Sequence, residues 1–231
     1  MIIIKNKKET FAPSLNEALG GGKTWIKADG TPVDMEMVED VLEAAIQDLS
    51  INYPSIETVL KHKDLIFTDN PFIETMATDG ISIMMNPAWC EYIIDNFDPI
   101  SLEYVLIHEC LHILFDHCGK HRENLDKYSD AEKVNYAQDY EINYVIENFI
   151  REGLGEKSFE GLTNALGGMY SEEFGKKGLT WEEIYSVLPA IKRKVVRTST
   201  SPEWKRGFAD AYNDFLKEAK KSKMIESYEI R

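Results

Sequence analysis

The most apolar part of the chain lies at its middle. From Leu102 to Phe115 the sequence LEYVLIHECLHILF is apolar on nearly every side of a helix, which predicts a buried central helix. Ser101 is the expected N-cap of this helix, and Gly119 is expected to end it. The predicted helix therefore forms the core on which the other elements pack.

Other helices are predicted around it from spacing and capping residues. A short helix is predicted over 55–61, another over 89–97, and a capped one over 180–188, with Thr180 and Glu183 forming a capping box. A long helix should run from Ser129-Asp130-Ala131-Glu132, also a capping box, to about Arg151. An amphipathic helix is predicted over 34–49, where these apolar residues recur at helical spacing: Val38, Val41, Leu42, Ala45 and Leu49.

Residues 72–86 differ from the helical segments. The stretches FIETMA and ISIMMN are rich in strand-forming residues, and Thr78-Asp79-Gly80 between them is typical of a hairpin turn. Asn86-Pro87 should end the second strand. We therefore expect an α+β, predominantly helical fold, with a small antiparallel hairpin packed on the buried helix. The outer edge of such a hairpin could also hold an extended peptide.

The ends of the chain carry weaker signals. Residues 1–33 are expected to form an N-terminal arm with little structure, and residues 34–190 the main domain. Residues 152–178 are glycine-rich and predict a loop that could cover a cleft. Residues 191–231 should form a basic C-terminal extension with an apolar-striped helix starting at Pro202.

Composition and charge restrict the possible functions. The 231 residues carry a formal charge of −14, which disfavours nucleic-acid partners, and no stretch is apolar and long enough to span a membrane. Three scattered cysteines and no recognisable signal peptide favour a cytoplasmic protein. Residues 191–231 hold 11 Lys and Arg against 6 Asp and Glu, so this segment either contacts a protein partner or is a solvated helix face.

The central helix carries the candidate chemistry. His108 and His112 are four residues apart, so their imidazoles lie on one face and can bind one Zn²⁺. Zinc lowers the pKa of a bound water to roughly 7, and Glu109 is placed to act as the general base that takes its proton. The alternative is that two core histidines have this spacing by chance. Burial of three polar groups on an apolar helix favours the metal.

A third metal ligand is needed for a catalytic zinc site. His117 lies about 140° round the helix from His112, so it could bind only if the helix breaks before it. Otherwise Asp139, Glu141 or His121 must supply the ligand. Asp139 is favoured because it belongs to a polar stripe, spaced every four residues among aromatic residues, that consists of Asn135, Asp139 and Asn143.

Several ordered motifs together resemble a known family. They are Thr78-Asp79-Gly80, the His-Glu-x-x-His helix with His117 after it, the segment from Asn135 to Asn143, Gly168-Met169-Tyr170, and the segment from Gly178 to Tyr185. They resemble the metallopeptidase domain found upstream of von Willebrand factor A-like domains in bacteria and phages, over roughly residues 70 to 190. The resemblance implies a zincin-like fold and a zinc peptidase, with Asp139 as the third ligand.

Two functions from different classes follow. The first is a zinc-dependent peptidase in which His108, His112 and Asp139 hold the ion, Glu109 is the base and a protein or peptide is the substrate. The second is a metal-stabilised interaction module without catalysis. Glu109 favours the first, since a structural zinc needs no base. Candidates for stabilising an oxyanion, chosen only because they lie near the motifs, are Tyr140, Tyr144, His121 and Arg122.

Overall fold

The computed structural model describes residues 2–4, 24–148, 150, 159 and 161–189. They belong to a compact unit with the bounds Met1–Lys192. The glycine-rich part of the N-terminal arm, the helix predicted from Pro202 and the basic extension lie outside the described residues. Within the described part of the chain, no helix is long and apolar enough to cross a membrane.

The described residues form a mostly helical fold with one small sheet, which confirms the α+β class. The strands are β1 (Ile2–Ile4), β2 (Asp64–Phe67), β3 (Met76–Thr78) and β4 (Ser82–Met85). The helices are α1 (Met35–Asn52), α2 (Pro54–His62), α3 (Pro87–Asn96), α4 (Ile100–Leu114), α5 (His117–Glu123), α6 (Ala131–Asn148), α7 (Leu162–Ala165), α8 (Glu172–Lys176) and α9 (Trp181–Val187).

The sheet has the strand order β1-β2-β4-β3. The predicted hairpin is present, because β3 and β4 pair antiparallel around a turn in which Gly80 has φ 85°. The sheet is not antiparallel throughout, however, since β2 pairs parallel with β4. Neither β2 nor β1 was predicted, and β1 lies in the arm expected to have little structure. Each is too short to show a strand pattern, and its place depends on pairing with distant residues.

The first helices follow their sequence patterns. The Asp34 side chain accepts a hydrogen bond from Met37 N and caps α1, and Pro54 opens α2 at the position where its missing N–H costs nothing. The apolar face of α1 is buried, as predicted, through Val38, Leu42, Ala45 and Leu49. α3 begins directly after β4, because Asn86 both ends the strand and caps the helix.

α4 is the predicted central helix, with Leu102, Leu106 and Ile107 fully buried. Each such side chain contributes about 1.5–3 kcal/mol by leaving water. α4 packs on α1, α2, α3, β3 and α6. The prediction that Ser101 caps this helix was wrong. Asp98 accepts a hydrogen bond from the N–H of Ile100, and Ser101 is buried inside the first turn.

The end of α4 differs from the prediction at Gly119. The helix ends at Leu114, and Asp116 adopts the left-handed conformation with φ 54°. Aspartate visits this region more readily than most residues, so the break needs no glycine. Gly119 lies inside α5, where a side chain would collide with the Asp116 carboxylate.

α6 and α9 form a second packing layer. Tyr140 and Trp181 belong to the small apolar cluster between them. The Asp130 side chain, rather than Ser129, caps α6 by accepting from Lys133 N, and the helix ends at Asn148. The capping box predicted for α9 is present. Part of the predicted glycine-rich loop is helical instead, in α7 and α8.

The left-handed residue gives a stability prediction. Asp116→Val should lower the free energy of unfolding by about 1–2 kcal/mol, since a β-branched residue is strained at this φ. Asp116→Asn should change it by less than about 0.5 kcal/mol. Chemical denaturation of the two variants measures the difference, and equal losses would show that the carboxylate charge matters rather than the backbone.

Candidate metal centre

Three side chains from two helices meet at one point. His108 and His112 lie one turn apart on α4, with their Nε2 atoms 3.0 Å from each other. Asp139 reaches them from α6, with its Oδ1 3.5 Å from Nε2 of His108 and 3.3 Å from Nε2 of His112. Among the described residues, this His-His-Asp set is the group of three whose ligand atoms converge closely enough for a metal ion.

These separations suit a tetrahedral metal. A zinc ion with bonds of about 2.0–2.2 Å places neighbouring ligand atoms about 3.3–3.5 Å apart. The three observed separations of 3.0, 3.5 and 3.3 Å lie close to that value. Two imidazoles and one carboxylate also match the ligand types of catalytic zinc, so the residues present fit the ion.

The pKa values of the three groups reflect burial and the contacts of Asp139 with the two histidines. Burial lowers the pKa of both imidazoles, but for His108 the hydrogen bond and charge of Asp139 outweigh burial and raise the pKa to about 9. Burial prevails for His112, and its pKa falls to about 4. Burial raises the pKa of Asp139, but the two histidines outweigh it and hold that pKa below its usual range. Asp139 is therefore a negatively charged carboxylate at the point where the three groups meet.

Glu109 lies beside this cluster on the same helix and is 6% exposed. Burial raises the pKa of its carboxyl to about 7; the charge of His108 opposes this rise and that of Asp139 adds to it. Among the described residues, no side chain or backbone group hydrogen-bonds to the carboxylate, so it can accept a proton from a neighbouring molecule. Its position fits a base better than a ligand, because it is not part of the converging set.

His108 is held from behind by α6. Its Nδ1 lies 2.8 Å from Oδ1 of Asn143, and the Asn143 amide donates to Met169 O. The hydroxyl of Tyr104, one turn before His108, donates to the same Oδ1 and lies 2.6 Å from Oγ1 of Thr163. With Nδ1 donating to Asn143, Nε2 is the nitrogen of His108 that faces the cluster.

The polar stripe predicted on α6 thus faces the histidines. Asn143 contacts His108, Asp139 contacts both histidines, and the exposed Asn135 donates to Oδ2 of Asp139 over 3.3 Å. Sequence reasoning missed Tyr104, although its position four residues before His108 places it on the same face. It also missed Thr163, which lies in the segment predicted as a loop.

The other ligand candidates lie elsewhere. The helix does break before His117, yet the ring lies behind His112, with the two Nδ1 atoms 3.1 Å apart. Glu141 contacts Nε2 of His117 at 3.1 Å instead of joining the cluster. Nε2 of His121 lies 3.0 Å from Tyr128 O. Of the residues considered, Asp139 is the one placed against both histidines.

The oxyanion candidates are engaged in other contacts. Tyr140 is buried against Phe174, and Tyr144 stacks on Tyr170. Arg122 donates to Asp79 O, in the turn between β3 and β4. His121 bonds Tyr128 as above. Their role in catalysis therefore stays a prediction.

Comparison with known proteins gives one result. A family model described as "Putative metallopeptidase domain" matches residues 38–220, which is most of the chain and includes α4 and α6. Neither the curated proteins nor the solved structures give a match. A metal ion is implied by that description, in agreement with the His-His-Asp cluster. The chain therefore belongs to this family.

Proposed function

We propose that this protein is a zinc-dependent peptidase in which His108, His112 and Asp139 bind the ion and Glu109 is the general base. The observation that carries the proposal is the convergence of three ligand atoms from α4 and α6, beside a buried carboxylate that is not a ligand. A structural zinc would be closed by four protein ligands and would need no such carboxylate. The zincin-like arrangement and the choice of zinc are part of the proposal.

The chemistry divides between the ion and the chain. Zinc would supply a Lewis acid that polarises the scissile carbonyl and makes a water easier to deprotonate. Glu109 accepts the proton of the attacking water at its carboxylate and passes it to the leaving amine. Its burial strengthens this role, because the raised pKa makes the protonated form accessible near neutral pH. Asn143 keeps the His108 ring in the orientation that faces the ion.

A peptide substrate can be held at the edge of the sheet. β3 is the last strand in the order β1-β2-β4-β3, and it packs on α4. Hydrogen bonds join Asn86 N to Thr75 O and Asp79 N to Ser82 O. Because the pairing of an antiparallel ladder alternates, the N–H groups of Met76 and Thr78 point away from β4, towards the outer edge.

That edge is bounded on one side by α5. The Thr78 carbonyl accepts a contact from Cys118 Sγ at 3.6 Å, and α5 starts close to where α4 ends. An extended peptide pairing with Met76 N–H and Thr78 N–H would therefore run beside the helix that carries the histidines. Main-chain pairing of this kind binds many sequences, which suits a substrate that is an unfolded or extended segment.

Removing a ligand tests the metal site. Purified wild-type protein should contain about one zinc per chain, and Asp139→Ala should lose most of it, because two histidines alone leave the ion under-coordinated. Glu132→Ala, a carboxylate two turns earlier on α6, is the matched control and should keep the zinc. Elemental analysis measures both. Wild-type protein without a transition metal after zinc loading would refute the site.

Glu109→Gln separates catalysis from metal binding. The variant should keep its zinc and lose hydrolysis of a peptide library by at least about 10²-fold, since the base is removed and no ligand is. Glu103→Gln is the control, because Glu103 is on the same helix and is also 6% exposed. If Glu109→Gln cleaved as the parent does, Glu109 would not be the base. If the zinc-loaded parent cleaved nothing, the protein would instead be the metal-stabilised interaction module.

The edge of β3 can be tested by removing one N–H. Thr78→Pro should raise KM about 5-fold for library peptides, the loss expected for one hydrogen bond of about 1 kcal/mol, while the zinc content is unchanged. Thr78→Val keeps the N–H and removes only the hydroxyl, so its KM should stay near that of the parent. Equal KM values for the two variants would place the substrate elsewhere.

A further inference from the structure

His117 connects the candidate metal centre to the half-buried carboxylate of Glu141. Its ring is completely buried, with one nitrogen facing each of two neighbours. Nδ1 lies 3.1 Å from Nδ1 of His112, and Nε2 lies 3.1 Å from Oε2 of Glu141. The rings of Phe115 and Trp181 pack against it, with centroids 5.6 and 6.4 Å away. No water is needed to satisfy either nitrogen.

The direction of these hydrogen bonds follows from Glu141. Oε2 of Glu141 also accepts from the backbone N–H of Trp181, at 3.3 Å, and a backbone N–H can only donate. Oε2 is therefore an acceptor, and His117 donates to it through Nε2. A neutral imidazole with its proton on Nε2 has a lone pair on Nδ1. His117 must then accept the proton of His112 Nδ1–H.

These hydrogen-bond directions determine which nitrogen of His112 carries the proton and which one has the lone pair. With its proton on Nδ1, His112 has its lone pair on Nε2, the atom 3.0 Å from His108 Nε2 and 3.3 Å from Asp139 Oδ1. The opposite order would put a proton on Nε2, where it would point at the metal position and block coordination.

We infer that His117 and Glu141 are positioning residues that fix the tautomer and orientation of His112 for metal binding. This inference rests on the proposed metal centre, and it makes His117 neither a ligand nor a catalytic residue. Glu141 accepts a hydrogen bond from Nε2 of His117, and His117 accepts one at Nδ1 from His112. His112 therefore has the lone pair of Nε2 directed at the metal position. The arrangement differs from that of His108, whose Nδ1 donates to the neutral amide of Asn143. The His112 branch passes through a second imidazole to the Glu141 carboxylate, which makes the ligand more basic.

Zinc affinity measured against a chromophoric chelator tests the inference. His117→Phe keeps a ring of similar shape but no acceptor, so zinc binding should weaken about 10- to 100-fold. His117→Gln can accept through its side-chain oxygen and should recover most of the loss. Glu141→Gln should weaken zinc binding as well, although less, because an amide oxygen is the poorer acceptor. His121→Phe, a histidine on α5 that bonds Tyr128 O, is the matched control and should bind zinc as the parent does.

A spectroscopic measurement distinguishes an effect of the histidine tautomers from an effect of side-chain packing. In the zinc-loaded parent, long-range ¹H–¹⁵N spectra of labelled histidines should show His117 protonated on Nε2 alone and His112 on Nδ1 alone. A proton on Nδ1 of His117 would overturn the inference. So would three imidazole ligands in the X-ray absorption spectrum of the zinc-loaded parent, since His117 would then be a ligand.

The outcomes also separate this inference from the proposed function. A parent that binds no zinc refutes the metal centre itself. If the parent binds zinc and Asp139→Ala loses it, while Glu141→Gln and His117→Phe keep the parent affinity, only the positioning role is refuted. Should His117→Phe fail to fold, as judged by circular dichroism, the Glu141→Gln affinity and the parent spectra decide the question without it.

Discussion

The packing of α6 against α4 is the contact on which the candidate centre depends. It places the carboxylate of Asp139 against two imidazoles in a largely buried setting, where unpaired polar groups would cost several kcal/mol. The same contact sets Asn143 behind His108. Local helix periodicity arranges the side chains on each helix, but only the crossing of the two helices brings the ligand atoms together.

The two histidines are supported in different ways from behind. His108 is held by Asn143, Tyr104 and Thr163, a set of neutral groups that ends in the backbone of Met169. His112 is held through His117, which contacts Glu141, and that carboxylate also binds the first backbone N–H of α9. The second apolar cluster, between α6 and α9, therefore stabilises one histidine while the large core stabilises the other. A substitution in one of these two groups of residues should therefore displace one histidine of the centre more than the other.

Features that repeat along a helix could be predicted from the sequence. The buried α4, the amphipathic α1, the box at Thr180 and the inward polar stripe with Asp139 all follow from local spacing and were found. What could not be predicted depended on distant partners or on one dihedral angle. β2 takes its place from pairing with β4, and Glu141 matters because α9 and α5 meet beside it. The helix break at Asp116 could not be predicted, because the residue in the left-handed conformation is neither glycine nor proline.

The break at Asp116 also affects how relatives of this chain would be found. Because the left-handed residue sets the angle between α4 and α5, the interval from His112 to His117 is fixed in length, whereas the residues between them are restricted mainly by packing. A search pattern built on this geometry would require His-Glu-x-x-His, four intervening residues with Asp, Asn or Gly as the fourth, a histidine, and a later Asp-x-Glu. Such a pattern would separate chains that share the whole arrangement from those that have only the pair of histidines.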